Sequence, residues 1–243
     1  MNENNSDIKK RSYKIFIKGE LINLCIPNEE AIEIDGWADW FNDIKQLGNT
    51  GHGIFPNFPE TQKKILEGIR NRDNIALLIC EKSNNRAFGI VSLQSINLIT
   101  KSAEIAINIG KPEVSVMPSF AAIEAMALLS EHGFDVLGLD RINAGQAYPN
   151  LLGWNKLLEV IGFKVEGLSR SSFKRGHDVF DTVLIACVYN DFLRLKNIRG
   201  SLWGDLTSIK KLIRSQPKKS YAQKIDEMMI DLDKEHFKFI FDK

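Results

Sequence analysis

Apolar and polar residues alternate with period two from Tyr13 in "YKIFIKGELINLCIP", around a Lys-Gly-Glu turn, which predicts a hairpin with one buried face. "NEEAIEIDGWADWFNDI" then shifts to helical spacing, with Asn28 placed as a cap and early glutamates suited to the positive end of the helix dipole. The Gly- and Pro-rich "GNTGHGIFPNFP" reads as a loop, and "ETQKKILEGIRNR" as a helix. Three apolar segments follow, "NIALLICEK", "RAFGIVSLQSIN" and "KSAEIAINIG". Their links, "SNN" and "LIT", are short enough for an antiparallel meander. "SFAAIEAMALLSEHGFDVL" carries a long apolar stripe at helical period, "DRINAGQAY" reads as a strand and "NLLGWNKLLEVIG" as a helix. "FKVEGLSRSSFK" and "FDTVLIACVYN" then form a strand pair joined by "RGHD". This order of antiparallel and crossover connections predicts an α+β fold and excludes a simple doubly wound sheet.

The pattern divides the chain into a polar tail at 1–12 expected to be disordered, a main domain at 13–192 and a helical extension at 193–243, with two helical stretches around Pro217. A chain of 243 residues with 44% hydrophobic content suits one main globular body. Its formal net charge of +1 offers no broad electropositive field, which argues against nucleic acid as a partner. Cys25, Cys80 and Cys187 lie far apart in apolar strand-like runs, as packing residues in a reducing compartment do. The opening "MNENNSDIKKRS" lacks an apolar signal core and no apolar run approaches bilayer length, so a cytoplasmic protein without a membrane partner is expected. The histidines have no partners at metal-ligand spacing, so no metal site is expected.

Three phrases resemble the GCN5-related N-acetyltransferase (GNAT) superfamily, in particular the branch that acetylates ribosomal-protein N-termini. "GWADWFNDI" resembles that branch's first helix with its Trp-x-Asn-Asp signature. "LDRINAGQAYPNLLGWNKLLEVIGFKVEG" resembles its strand, Asn-containing turn, helix and Gly-Phe, and "SSFKRGHDVFDTVLIACV" its terminal hairpin. The resemblance spans about Tyr13 to Phe192. It implies a splayed mixed sheet of about seven strands flanked by helices, with acetyl-CoA held where two parallel central strands part. The activity it implies is acetyl transfer to a primary amine of a small molecule or peptide, an amino sugar on a nucleotide or a protein N-terminus.

The family cradles the donor's pyrophosphate in a glycine-rich turn opening the long central helix. Here Met117, Pro118 and Phe120 replace its basic and glycine positions, so the turn is degenerate. What survives is the helix start. Ser119 can cap or donate its hydroxyl, and the N–H groups of Phe120, Ala121 and Ala122 are expected to point outward. Lys111 can add a flexible charge. The strand backbone at Ile107 and Ile109 and the turn residue Asn150 are the implied contacts of the pantetheine arm. The alternative is a catalytically silent binding or partner module that has lost or altered donor binding.

Period-two alternation in "SAEIAINIG" puts Glu104, Ala106 and Asn108 on one face. Glu104, expected to be partly buried, is the candidate general base and Tyr148 the candidate acid for the departing thiolate. Trp37, Trp40, His52 and Asn108 are the candidate acceptor contacts, on segments where this branch forms its acceptor pocket. "SINLITKSAEIAINIG" also resembles strands of nucleotide-linked amino-sugar N-acetyltransferases. In the extension, "IKKLIRSQPKKSYAQK" reads as a solvated basic face, while "MMIDLDKEHFKFIF" has the apolar spacing to pack on the body or in a homodimer.

Overall fold

In the computed structural model, which describes residues 11–43, 54–69, 74–110 and 117–241, the opening hairpin is β1 (Ile15–Lys18) and β2 (Ile22–Cys25). The tail expected to run to residue 12 is tied down at its end. Arg11 Nε donates to Asp35 Oδ1 at 2.7 Å, and Ser12 Oγ to Glu30 Oε1 at 2.7 Å. Two ionic or hydroxyl contacts within two residues outweigh the polar composition that suggested fraying.

The first helical segment breaks in two, α1 (Glu30–Glu33) and α2 (Trp37–Trp40). Asn28 Oδ1 accepts from Glu30 N–H at 3.0 Å, as a capping side chain does. The break falls at Gly36, whose φ of 70° is left-handed and inexpensive only without a Cβ. Asp35 holds the break open, its carboxylate also accepting from Tyr13 OH at 2.9 Å and Ala87 N–H at 2.9 Å. Tertiary hydrogen bonds thus override a continuous helical period.

Helix α3 (Pro59–Ile69) follows, then the meander β3 (Ile75–Glu81), β4 (Ala87–Asn97) and β5 (Ser102–Ile109). Helix α4 (Pro118–Asp135) crosses to β6 (Arg141–Tyr148), and α5 (Leu152–Val160) leads to β7 (Lys164–Arg175) and β8 (Asp178–Val188). The described strands make one eight-stranded sheet in the order β1-β2-β3-β4-β5-β6-β8-β7. Every neighbouring pair is antiparallel except β5 and β6.

Two cores flank the sheet. Helix α4 buries Ile123, Met126 and Leu129 against Leu93, Ile105 and Ile142 on one face. Trp37, Trp40 and Leu66 cover Leu78, Cys80 and Ile90 on the other. All three cysteines are free and buried. Helix α4 also carries Glu124, fully buried, whose carboxylate accepts from the backbone N–H groups of Glu20, Leu21 (2.9 Å) and Ile22 (3.1 Å), locking the first hairpin to the central helix.

The extension comprises α6 (Tyr189–Arg199), which leaves β8 directly, α7 (Leu206–Ser215), α8 (Tyr221–His236) and α9 (Lys238–Phe241). Pro217 separates α7 from α8, and Ser220 and Gln223 form a capping box that starts α8. Ile209 and Ala222 are fully buried, and Gln216 Nε2 donates to Lys156 O at 2.7 Å, so α7 and α8 dock on α5. Among the described residues no helix is long and apolar enough to cross a membrane.

Candidate active site

Strands β5 and β6 pair only through Ser102–Glu104 with Arg141–Asn143 and then part. The alternation of the antiparallel ladder decides what the widening gap contains. Gly110 N–H donates to Phe88 O at 2.6 Å, so Gly110 faces β4. Residues one, three and five positions earlier, Ile109, Ile107 and Ile105, therefore turn their N–H and C=O groups toward β6. Beyond Glu104 the ladder with β6 has ended, and Ile107 and Ile109 present backbone donors and acceptors to the gap.

A cavity of about 290 Å³ fills that gap, lined by Glu104 to Ile107 of β5, Ala144 to Ala147 of β6, and Met126, Leu151, Trp154, Phe173 and Thr182. A second cavity of about 600 Å³ lies on the α1–α3 face of the sheet. Trp37, Gln62, Asn74, Ser92, Gln94 and Asn108 are among its walls. Both cavities are lined by Ala106 and Ile107, so they meet across this one segment of β5. Gly110 and Trp40 brace it. A Cβ on Gly110 would come within 2.7 Å of Trp40 Cδ1, and Asn108 Nδ2 donates to Trp40 O at 3.2 Å.

Glu104 lines the cleft cavity one pleat from Ala106. It is exposed, contrary to the expected partial burial, because alternation turns it away from the face on which Ala103 and Ile105 are buried. Nearby Arg141 is already paired, with Nη1 donating to Glu166 Oε1 at 2.8 Å. Tyr148 ends β6 and its OH donates to Asp226 Oδ2 of α8 at 2.8 Å. Burial, with Asp226 adding to it, pushes the phenol up to about 12, so it is protonated at neutral pH. Among the acceptor candidates, Trp37 and Asn108 line the larger cavity, whereas Trp40 backs the strand instead. His52 and Lys111 lie outside the described residues. Asn150 is exposed and lines neither cavity.

The helix start requires a correction. Pro118 takes the first helical position, where its fixed φ suits the helix and its missing N–H costs nothing, so α4 begins before Ser119. Phe120 and Ala121 N–H groups donate to Met117 O at 3.0 and 3.2 Å, and Ala122 lies deeper in the helix. These amides are used within the turn and do not point outward. Phe120 turns its ring toward the core, with Lys210 Nζ of α7 5.5 Å from the ring centroid, while Ser119 is exposed and makes no side-chain cap.

No protein-family model matches the chain, and no curated protein matches it. Solved structures do. A GCN5-related N-acetyltransferase from Brucella melitensis superposes with a TM-score of 0.62 at 19% identity, over 84% of this chain and 96% of that one. The fold is that of the GNAT acetyltransferases. A spermidine N-acetyltransferase from Vibrio cholerae, solved with CoA and spermine, matches at TM-score 0.61 and 17% identity over 72% and 99% of the two chains. A GNAT-family acetyltransferase from Bacillus anthracis matches at 0.59 and 18% over 74% and 99%. Within the GNAT fold, Gln62, Asn74, Ser92 and Gln94 are the cavity residues that sequence reasoning missed. Gln94 was legible as the cross-strand partner of Glu104 once the meander register was counted, whereas Gln62 and Asn74 reach the cavity only through tertiary packing.

Proposed function

We propose that the protein is an N-acyltransferase that moves an acetyl group from acetyl-CoA to a primary amine by direct attack. The observation that carries this reading is the junction at Ala106–Ile107, where a cleft edged by backbone N–H groups meets a polar cavity on the other face of the sheet. The pantetheine arm lies between β5 and β6, hydrogen-bonded to Ile107 and Ile109, and brings the thioester to the junction. The amine enters from the larger cavity. Its nitrogen lone pair forms the new C–N bond at the thioester carbon, the C–S bond breaks, and the proton released from nitrogen passes to Glu104, directly or through water. A main-chain N–H such as that of Ile107 steadies the carbonyl oxygen as charge develops. The departing thiolate takes a proton from Tyr148 after its hydroxyl exchanges from Asp226. The solved neighbour holding CoA and spermine supports an acyl-CoA donor and an amine acceptor.

The closed first turn of α4 favours a second reading, a partner module with this fold that no longer uses the donor. The two part on thiol release. Incubation with acetyl-CoA and a mixture of primary amines is expected to liberate CoA in proportion to the N-acetylated product seen by mass spectrometry. No thiol above background, with every amine unmodified, leaves the silent module.

A further inference from the structure

Gln146 is a polar side chain in the cleft wall to which the reaction as written gives no part. On β6 the residues of one face are Ile142, Ala144 and Gln146, all buried, so a glutamine stands where the alternation calls for an apolar residue. Only 7% of it is exposed, and neither atom of its amide has a hydrogen-bond partner among the described residues. Burying an amide without a partner costs the desolvation of its polar atoms, which native folds rarely leave uncompensated. The rest of the cleft wall offers it nothing. Beyond Glu104 the lining side chains are aliphatic or aromatic except Thr182, whose Oγ1 is already bonded to Ser172 Oγ at 2.8 Å. The partner that satisfies Gln146 is therefore whatever enters the cleft.

Strand register sets where this amide lies along the cleft. The β5–β6 ladder pairs Ser102 with Arg141, Ala103 with Ile142 and Glu104 with Asn143, and the same stagger carried onward sets Ile107 level with Gln146. The two stand on opposite walls of the gap, Gln146 held in place by the ladder of β6 with β8, where it faces Val183. Gln146 lines the cleft cavity while its Oε1 is shut away, so the end it presents to the gap is the Nε2 amino group. Small neighbours, Ala144, Gly145 and Ala147, leave room in front of it. A main-chain N–H on one wall and a side-chain N–H on the other is the arrangement that stabilises a carbonyl oxygen as it gains charge. The apolar lining strengthens both donors, because little solvent competes for them. A carboxamide also carries no titrating proton, so its contribution is independent of pH and separable from that of Glu104.

We infer that Gln146 is a catalytic residue of the transfer, its Nε2 donating to the thioester carbonyl oxygen from the wall opposite Ile107. This rests on the acyltransferase reading above, and the experiment separates the two. As the amine nitrogen bonds to the carbonyl carbon, the π electrons of C=O move onto oxygen and the bond from Nε2 strengthens. As the C–S bond breaks they return, and sulfur leaves as thiolate; no proton moves to or from Gln146. Gln146→Met keeps the length of the side chain and removes both polar atoms. It is expected to lower kcat about a hundredfold to a thousandfold, the loss typical of one such donor, with the Kd for acetyl-CoA within about threefold and the pH profile unshifted. The melting temperature of the variant is expected to be no lower than the parent's, because an unpartnered buried amide has been removed. Infrared difference spectra of bound acetyl-CoA, labelled with carbon-13 at the thioester carbonyl, give a readout that needs no turnover. The carbonyl band is expected at lower frequency in the parent than in Gln146→Met. A kcat within about threefold of the parent, or a band at the same frequency in both proteins, overturns the inference while leaving the acyltransferase standing. So does a loss of acetyl-CoA affinity of about tenfold with kcat retained, which assigns the amide to the pantetheine arm. A band difference between parent and variant with no amine acetylated upholds the contact with the thioester and overturns the acyltransferase. Failure of acetyl-CoA to bind the parent overturns both.

Discussion

Glu104→Gln is expected to lower kcat by about a hundredfold to ten-thousandfold, the range that a general base contributes, while leaving affinity for acetyl-CoA unchanged. The side chain is exposed on β5, so a neutral isostere disturbs no packing, and Gln94 and Asn143 opposite it are already neutral amides. The effect therefore falls on proton removal alone. Steady-state kinetics with a saturating amine read kcat, and a donor titration of the variant reads affinity. A kcat within threefold of the parent removes Glu104 as base.

The second large effect concerns stability. Glu124→Gln is expected to cost about 2–4 kcal/mol, because an amide N–H would replace one carboxylate oxygen facing the backbone donors of Glu20, Leu21 and Ile22. For a chain of this length that lowers the melting temperature by about 5–15 °C. Burial raises the carboxyl pKa above its ordinary 4.5 more than the three backbone N–H groups lower it. A carboxyl whose pKa is raised on folding contributes stability that is full below the unfolded value and is lost as pH rises through the folded one. The gap between parent and variant should accordingly widen as pH falls from neutral toward 4.5. Thermal melts followed by circular dichroism across that range test both statements. A drop under about 2 °C contradicts the role as acceptor of the three N–H groups, and a gap that narrows in acid contradicts the raised pKa.

Much of this architecture was legible where periodicity and burial agree. Ala103 and Ile105 are buried while Glu104 is exposed, so the face of β5 that carries Glu104 was readable from alternation alone. The hairpins and the meander followed from short links between apolar runs for the same reason. Illegible features depended on partners distant in sequence. Gly36 interrupts a helical period only because Asp35 is claimed by Arg11, Tyr13 and Ala87. Tyr148 was readable as a strand end, but its hydrogen bond to Asp226 spans 78 positions and ties the extension to β6. Pro118 has a double character: it removes an N–H donor from the turn that would hold a phosphate, and it is a well-formed first helical residue, after which Phe120 and Ala121 enter the helix's own bonding.

With those amides used, donor binding under the proposed function rests on the free edge of β5. Amide hydrogen exchange resolved at Ile107 and Ile109 tests that most directly. Addition of acetyl-CoA is expected to slow exchange at both residues while leaving Phe120 and Ala121 unaffected. Unaltered exchange at Ile107 and Ile109 under saturating donor, or protection confined to the head of α4, contradicts donor binding between the parted strands.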